Sequence, residues 1–355
     1  FVLPLLVGVL YSVCVNNVMQ YSVLIFSFPY LLFLLFGLIP EQRTAVNVML
    51  VFLILCVNVS ALVFERHHYS SLYESAYLHI LKDGEETVKN YGDVATLIDT
   101  DKEISDYYLQ KETFTAHYTF VDTAFTRMRF VSFLKESSRH SPYFYYGCLS
   151  TGDPVSVALI RDYYPILIQQ KNYFGGTTFL FSKGAGTTPD IIEWNGFEAR
   201  QKKFWSAMDT ARFVDSTSFF GKYAYLIDST DEWSLTYIRP LREMADDKEF
   251  IDISVEALNE EVLNKALIVA SIQDGDSVVN WSSSVFSDFE DNTGTKPGWV
   301  KIHHSIMISD VAVKKRNLVM KIYIWNPGKN RFIIDDFIIS RRAGNPVIYS
   351  WYQKI

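Results

Sequence analysis

Leu318-Val-Met-Lys-Ile-Tyr-Ile-Trp325 and Phe332-Ile-Ile-Asp-Asp-Phe-Ile-Ile339 decide the fold of the C-terminal half. Successive side chains of a strand point to opposite faces, so Tyr323 and Trp325 share one face, while Asp335 and Asp336 fall on opposite faces. Working outward, similar short runs rich in Val, Ile, Tyr, Phe and Trp recur at Phe213–Asp215, Gly221–Ile227, Trp233–Ile238, Phe250–Val255, Ala266–Ile272, Ser277–Trp281 and Val300–Met307. Short strands at this spacing predict an antiparallel β-sandwich over residues 190–355. Asp274-Gly275-Asp276 between two runs predicts a hairpin turn, because Gly accepts positive φ without a Cβ clash.

Upstream the period changes. Helical stretches at Ser71–Asn90, Glu103–Leu109, Asp122–Glu136 and Pro154–Asp162 alternate with strands at Val94–Ile98, Tyr143–Leu149, Ile166–Gln170 and Thr177–Phe181. Such alternation predicts a small α/β domain with a mainly parallel sheet over residues 66–185. Asp99-Thr-Asp101 follows a strand and has two readings: a DxD metal motif, or aspartates capping the helix that begins near Lys102. Gly184-Ala-Gly186 with Thr187-Thr-Pro189 reads as a linker, since the remaining glycine and the helix of a dinucleotide loop are missing.

Residues 1–65 differ again. Phe1–Pro40 and Thr44–Phe64 contain no Asp, Glu, Lys or Arg. A helix needs about 20 apolar residues to cross the roughly 30 Å hydrocarbon core. Val18–Pro40 and Ala45–Phe64 are therefore expected to be full transmembrane helices, with Phe1–Val15 the tail of a third. A single cleavable signal does not account for several such runs in series. The chain starts with Phe inside an apolar run, which leads us to expect the C-terminal part of a longer protein. The expected partner is a lipid bilayer, with Glu65–Ser70 at its interface and His67 and His68 as interfacial residues. The net charge of -7 and the lack of a basic stripe argue against nucleic acid. Cys14 and Cys56 lie in the apolar runs, leaving Cys148 without an internal disulfide partner. Asn280-Trp-Ser282 is a sequon match that carries weight only in a secretory eukaryotic context.

Two resemblances follow from these residues. Apolar spans followed by Tyr143-Phe-Tyr-Tyr-Gly-Cys-Leu-Ser150, Tyr164-Pro165 and Thr178-Phe-Leu-Phe-Ser182 resemble the C-terminal part of bacterial multispanning C-type glycosyltransferases, the superfamily of protein O-mannosyltransferases. The resemblance implies polyprenyl-phosphate sugar donors, an inner-membrane location with the C-terminal domains in the periplasm, and a catalytic acidic residue upstream of this sequence. Trp194-Asn-Gly-Phe-Glu198, Gly221-Lys-Tyr-Ala-Tyr225, Pro297-Gly-Trp299 and Lys321-Ile-Tyr-Ile-Trp-Asn326 followed by Phe332–Ile339 resemble jelly-roll carbohydrate-binding modules of families 4 and 9. That resemblance implies one structural Ca²⁺ between the first and last strands, for which Glu198 and Asp335 or Asp336 supply hard oxygen ligands. The other reading makes them ordinary edge or turn carboxylates.

Sugar binding needs exposed aromatic faces beside amides and carboxylates. Trp205, Trp233, Trp281, Trp299 and Trp325 are the candidates, each also able to fill a sandwich core. His303 and His304 fall on opposite strand faces and have no acidic partner nearby in sequence. No Ser/His/Asp set, zinc-ligand spacing or carboxylate pair announces a complete active site. Two functions are therefore expected: the tail of a membrane glycosyltransferase-like protein that handles glycan or a polyprenyl-linked sugar, or a non-enzymatic membrane-anchored carbohydrate-binding or structural surface protein.

Overall fold

The computed structural model describes residues 37, 44–60, 63, 75–121, 126–184, 187–206, 208–246, 248–259, 265–289, 298–308 and 317–346. They belong to two compact units that divide between Ser75 and Ala76.

The first unit contributes helix α1 (Thr44–Ser60), 17 residues without a charge. Its apolar side chains are exposed all round, Phe52 to 65% and Leu53 and Leu55 to 59%. At 1.5 Å per residue it is about 26 Å long. Among the described residues no helix is long and apolar enough to cross a membrane. The expected spans Phe1–Val15 and Val18–Pro40 lie outside the described residues apart from Gly37, as do His67 and His68.

The second unit begins with an α/β lobe: α2 (Ala76–Tyr91), β1 (Val94–Asp99), α3 (Lys102–Lys111), β2 (Thr119–Phe120), α4 (Arg127–His140), β3 (Tyr143–Leu149), α5 (Val155–Tyr163), β4 (Ile166–Tyr173) and β5 (Gly176–Ser182). The sheet runs β2-β1-β3-β5-β4. β1 is parallel to β2 and β3, but β5 is antiparallel to both β3 and β4. The mainly parallel sheet is thus only half realised. Phe174-Gly175 alone joins β4 to β5, and a parallel pair needs a crossover of a dozen or more residues, so this pair must be a hairpin. α2 packs so closely on β3 that a Cβ at Gly147 would meet Ile80 Cγ2 at 2.4 Å. Asp83 of α2 fastens the hairpin, accepting bonds from Lys171 Nζ (2.8 Å), Tyr173 Oη (2.6 Å) and Thr178 Oγ1 (2.9 Å).

The second lobe is the antiparallel β-sandwich: β6 (Asp190–Asn195), β7 (Phe213–Val214), β8 (Ala224–Ile227), β9 (Trp233–Pro240), β10 (Glu249–Asn259), β11 (Leu267–Asp274), β12 (Ser277–Val285), β13 (Trp299–Met307), β14 (Leu318–Trp325) and β15 (Phe332–Ala343). The larger sheet runs β13-β10-β15-β8-β7 with β6 also on β15, and the smaller runs β12-β11-β14-β9. Alternation does what the sequence predicts: Leu318, Met320, Ile322 and Ile324 are buried while Val319, Lys321, Tyr323 and Trp325 face out. They meet Ile251, Ile253, Val255 and Ala257 of β10 in one core that continues into the α/β lobe through Phe144, Tyr164 and Phe181. Gly275 turns the β11–β12 hairpin at φ 60°, as its sequence signal requires.

His304 lies inside, its two ring nitrogens bonded to Ser282 Oγ and Ser284 Oγ at 2.9 Å each. Burial holds its pKa down at about 4, against 6.5 ordinarily. The unfolded chain then binds the proton more readily between pH 4 and 6.5, so this contribution is complete above pH 6.5 and shrinks as pH falls. The stability of wild type minus that of His304→Gln, from urea melts, should fall by about 2 kcal/mol between pH 7 and pH 5. An unchanged difference would mean that the ring does not stay neutral in the folded chain.

Candidate functional site

The outer face of the smaller sheet carries three of the five tryptophan candidates. β9 pairs with β14 through Tyr323↔Thr236 and Trp325↔Trp233, so Ser234 and Leu235 together oppose Ile324. This β-bulge resets the alternation of β9. Trp233 would otherwise point inward with Leu235 and Tyr237, which are buried; instead it is 59% exposed. It stacks on Trp325, with centroids 5.4 Å apart and planes 4° apart, and lies 5.6 Å from Tyr323. Trp281, 47% exposed, stands on the same face at β12, opposite Ser271, which in turn pairs with Lys321. Thr236, Gln273 and Ser283 lie on that face too, interspersing hydroxyl and amide groups with the rings.

The remaining tryptophan candidates go elsewhere. Trp205 is core, wedged edge-on between Tyr237 and Phe337. Trp299 sits on the larger sheet and meets Phe219. The structure therefore unites Trp233 and Trp325, adds Trp281 on the same sheet face, and separates Trp205 and Trp299 from them.

Glu198, Asp335 and Asp336 hold main-chain and indole N–H groups. Asp335 is fully buried; its Oδ2 accepts from Phe219 N (2.8 Å) and Phe220 N (2.9 Å), and its Oδ1 accepts from Asp336 N (2.7 Å). Glu198 Oε1 accepts from Lys222 N (2.6 Å) and Tyr223 N (2.9 Å). Asp336 Oδ1 accepts from Trp194 Nε1. Only glycine fits at Gly221, at φ 68°, where a Cβ would lie 2.2 Å from Glu198 Oε1. Both carboxylates thus shape the segment that presents Phe219 and Phe220, each half exposed. Asp336 adopts φ 47° at a bulge in β15, so strict alternation fails at the pair the sequence placed on opposite faces. Among the described residues no three His, Cys, Asp or Glu side chains come together as a metal site.

Of the Asp99-Thr-Asp101 pair, only Asp101 caps α3, accepting from Glu103 N and Ile104 N. Asp99 instead opens on a cleft of about 770 Å³ at the carboxyl ends of β1 and β3, bonded to Tyr146 Oη. Burial raises its pKa, against the pull of that bond. Residues 185 and 186 of the expected linker lie outside the described residues, and Thr187 pairs back to Leu167. Sequence reasoning missed the acidic partner of His303: Asp162 of α5, whose Oδ2 accepts from His303 Nε2 at 2.7 Å. No local signal reveals a partner 141 positions away.

No family model matches this sequence, and no curated protein matches it. Among solved structures, the chain is similar to the CBM22-1 xylan-binding domain of Paenibacillus barcinonensis Xyn10C, at 13% identity over 44% of this chain and 97% of that one, with a TM-score of 0.29. The CBM22-2 domain of the same protein is 16% identical over 42% of this chain and 99% of that one (TM-score 0.31). The C-terminal family 22 module of Clostridium thermocellum Xyn10B is 14% identical over 45% and 98% (TM-score 0.29). At these values a functional reading has to come from the residues of this chain.

Proposed function

We propose that the chain is a membrane-held glycan-binding protein whose ligand lies on the outer face of the smaller sheet. The observation that carries this reading is the exposed Trp233 stacked on Trp325 beside Tyr323, with Trp281 on the same face. Aromatic faces pair with the apolar side of a pyranose, and the hydroxyls and amides between the rings can bond its hydroxyl groups. Charge-free α1, with its apolar side chains exposed, supports lipid as the surroundings of the N-terminal region. On this reading the second unit stands in the periplasm of a bacterial inner membrane. A structural calcium ion held by Glu198 and Asp335 or Asp336 is a separate proposal, and such an ion would share those carboxylates with the N–H groups they already accept.

Affinity electrophoresis against a panel of neutral and acidic polysaccharides, xylan among them, should retard the chain, and Trp233→Ala should weaken the interaction roughly tenfold, or about 1.4 kcal/mol. Retardation kept by Trp233→Ala but lost by Phe220→Ala would move the ligand to the other sheet, and none on any polysaccharide would discard glycan binding. Carbonate washing should leave the chain in the membrane pellet; release into the supernatant would refute the anchor. For calcium, mass action on the folded state raises Tm in added Ca²⁺ relative to EDTA, and equal melting would discard the ion.

A further inference from the structure

β1 and β3 lie side by side and parallel, yet the chain leaves them in opposite directions. From β1 it passes through α3 to β2 at one edge of the sheet, and from β3 through α5 to β4 at the other. Connections that diverge in this way leave a crevice beyond the carboxyl ends of the two strands, the usual place for a ligand in an open α/β sheet. Here that crevice is the cleft of about 770 Å³, bordered by Asp99 at the end of β1, Gly152 after β3, and Thr126, Arg127 and Met128 at the start of α4. Small-molecule sites typically measure about 300–1,000 Å³, so a six-membered sugar ring has room here.

The groups facing the cleft narrow the ligand. Asp99 is half-buried; its Oδ2 accepts from Tyr146 Oη at 2.8 Å, and among the described residues nothing donates to its Oδ1. α4 brings the opposite polarity, since the N–H groups of a first turn have no acceptor within their own helix. Thr126 Oγ1 accepts that of Arg129, and among the described residues those of Arg127 and Met128 have no acceptor. The Arg127 guanidinium is already shared between Asp153 Oδ2 (2.9 Å) and Asp288 Oδ2 (3.4 Å). A phosphate would suit the N–H groups but meet the carboxylates of Asp99, Asp153 and Asp288. An ammonium ion would suit Asp99 but leave the N–H groups unmatched. A hydroxyl donates and accepts at once, and Val121, Phe130 and Leu159 give the C–H groups between hydroxyls an apolar wall. We propose that this crevice binds a small uncharged polyhydroxy compound of monosaccharide size, with Asp99 accepting from one of its hydroxyls. The site belongs to the α/β lobe and does not rest on the tryptophan face of the smaller sheet.

The test uses the full chain in a detergent without a sugar headgroup. Calorimetric titration with glucose, mannose, xylose and myo-inositol should saturate for at least one of the four. Asp99→Asn keeps an oxygen for Tyr146 and puts an NH₂ group in place of Oδ1. It should bind that compound at least roughly tenfold more weakly, because a hydrogen bond to a charged acceptor is lost. Trp233→Ala should bind it as wild type does, which separates this site from the outer face of the smaller sheet. No saturation by any of the four overturns the site, as does an undiminished response in Asp99→Asn or a response lost in Trp233→Ala. Putrescine and inorganic phosphate are titrated in parallel at constant ionic strength, and a response to either in place of the polyols overturns the ligand class. Should Asp99→Asn fail to fold, Thr151→Trp decides, because Thr151 is exposed where it lines the cleft and an indole there obstructs it. A weaker response in Thr151→Trp supports the site, and an equal one overturns it.

Discussion

Buried main chain leaves few N–H or C=O groups unpaired, and in this protein that requirement falls hardest on β15. One edge of the strand follows β10 throughout. The other edge is shared: β8 pairs with Phe332, Ile333 and Ile334, and β6 takes over from Phe337. Asp335 and Asp336 sit at the changeover, where neither neighbour reaches. Side-chain acceptance fills the gap, Asp335 binding the N–H groups of Phe219 and Phe220 and Asp336 binding the Trp194 indole. A buried carboxylate held by three main-chain donors is the polar solution to an interruption in a sheet edge.

Near its end the same strand carries Arg342, which joins the lobes. Its guanidinium binds Asp252 within the sandwich, donates to Pro154 O at the start of α5 (2.9 Å), and lies 4.0 Å over the Phe250 ring. Asn345, just beyond, donates to Tyr173 O and Gly176 O across the β4–β5 turn. Breaking a buried pair such as Asp252–Arg342 strands a charge, so this seam resists opening even though a buried pair adds little stability over apolar packing. α/β lobe and sandwich accordingly behave as one packed unit.

Much of this was legible in the sequence. The sandwich strands lie where alternation put them, because one buried face per strand is a local property that composition records. What the sequence concealed is non-local. The bulges at Ser234-Leu235 and at Asp336 depend on the partner strand, so a strict two-residue period misassigns Trp233 and Asp336. The direction of β5 depends on a two-residue link whose shortness became clear only with both strand ends fixed. Asp162 meets His303, and Arg161 lies beside that pair, through the packing of a helix on a sheet, which no spacing along the chain encodes. Of five tryptophans proposed for recognition, burial alone separated Trp205, and burial is a property of the assembled core.

The bulge in β9 is a point where the strand can change length without moving the aromatic face. Ser234 is a single surplus residue inserted into a strand whose following positions, Leu235 and Tyr237, already fill the interior. Removing Ser234 would make Trp233 the direct neighbour of inward-facing Leu235, so the restored two-residue period would keep its indole outward, opposite Trp325, and leave every downstream register as it is. A lineage of such sandwiches could therefore gain or lose a codon at this point of the strand while the outward ring stays in place.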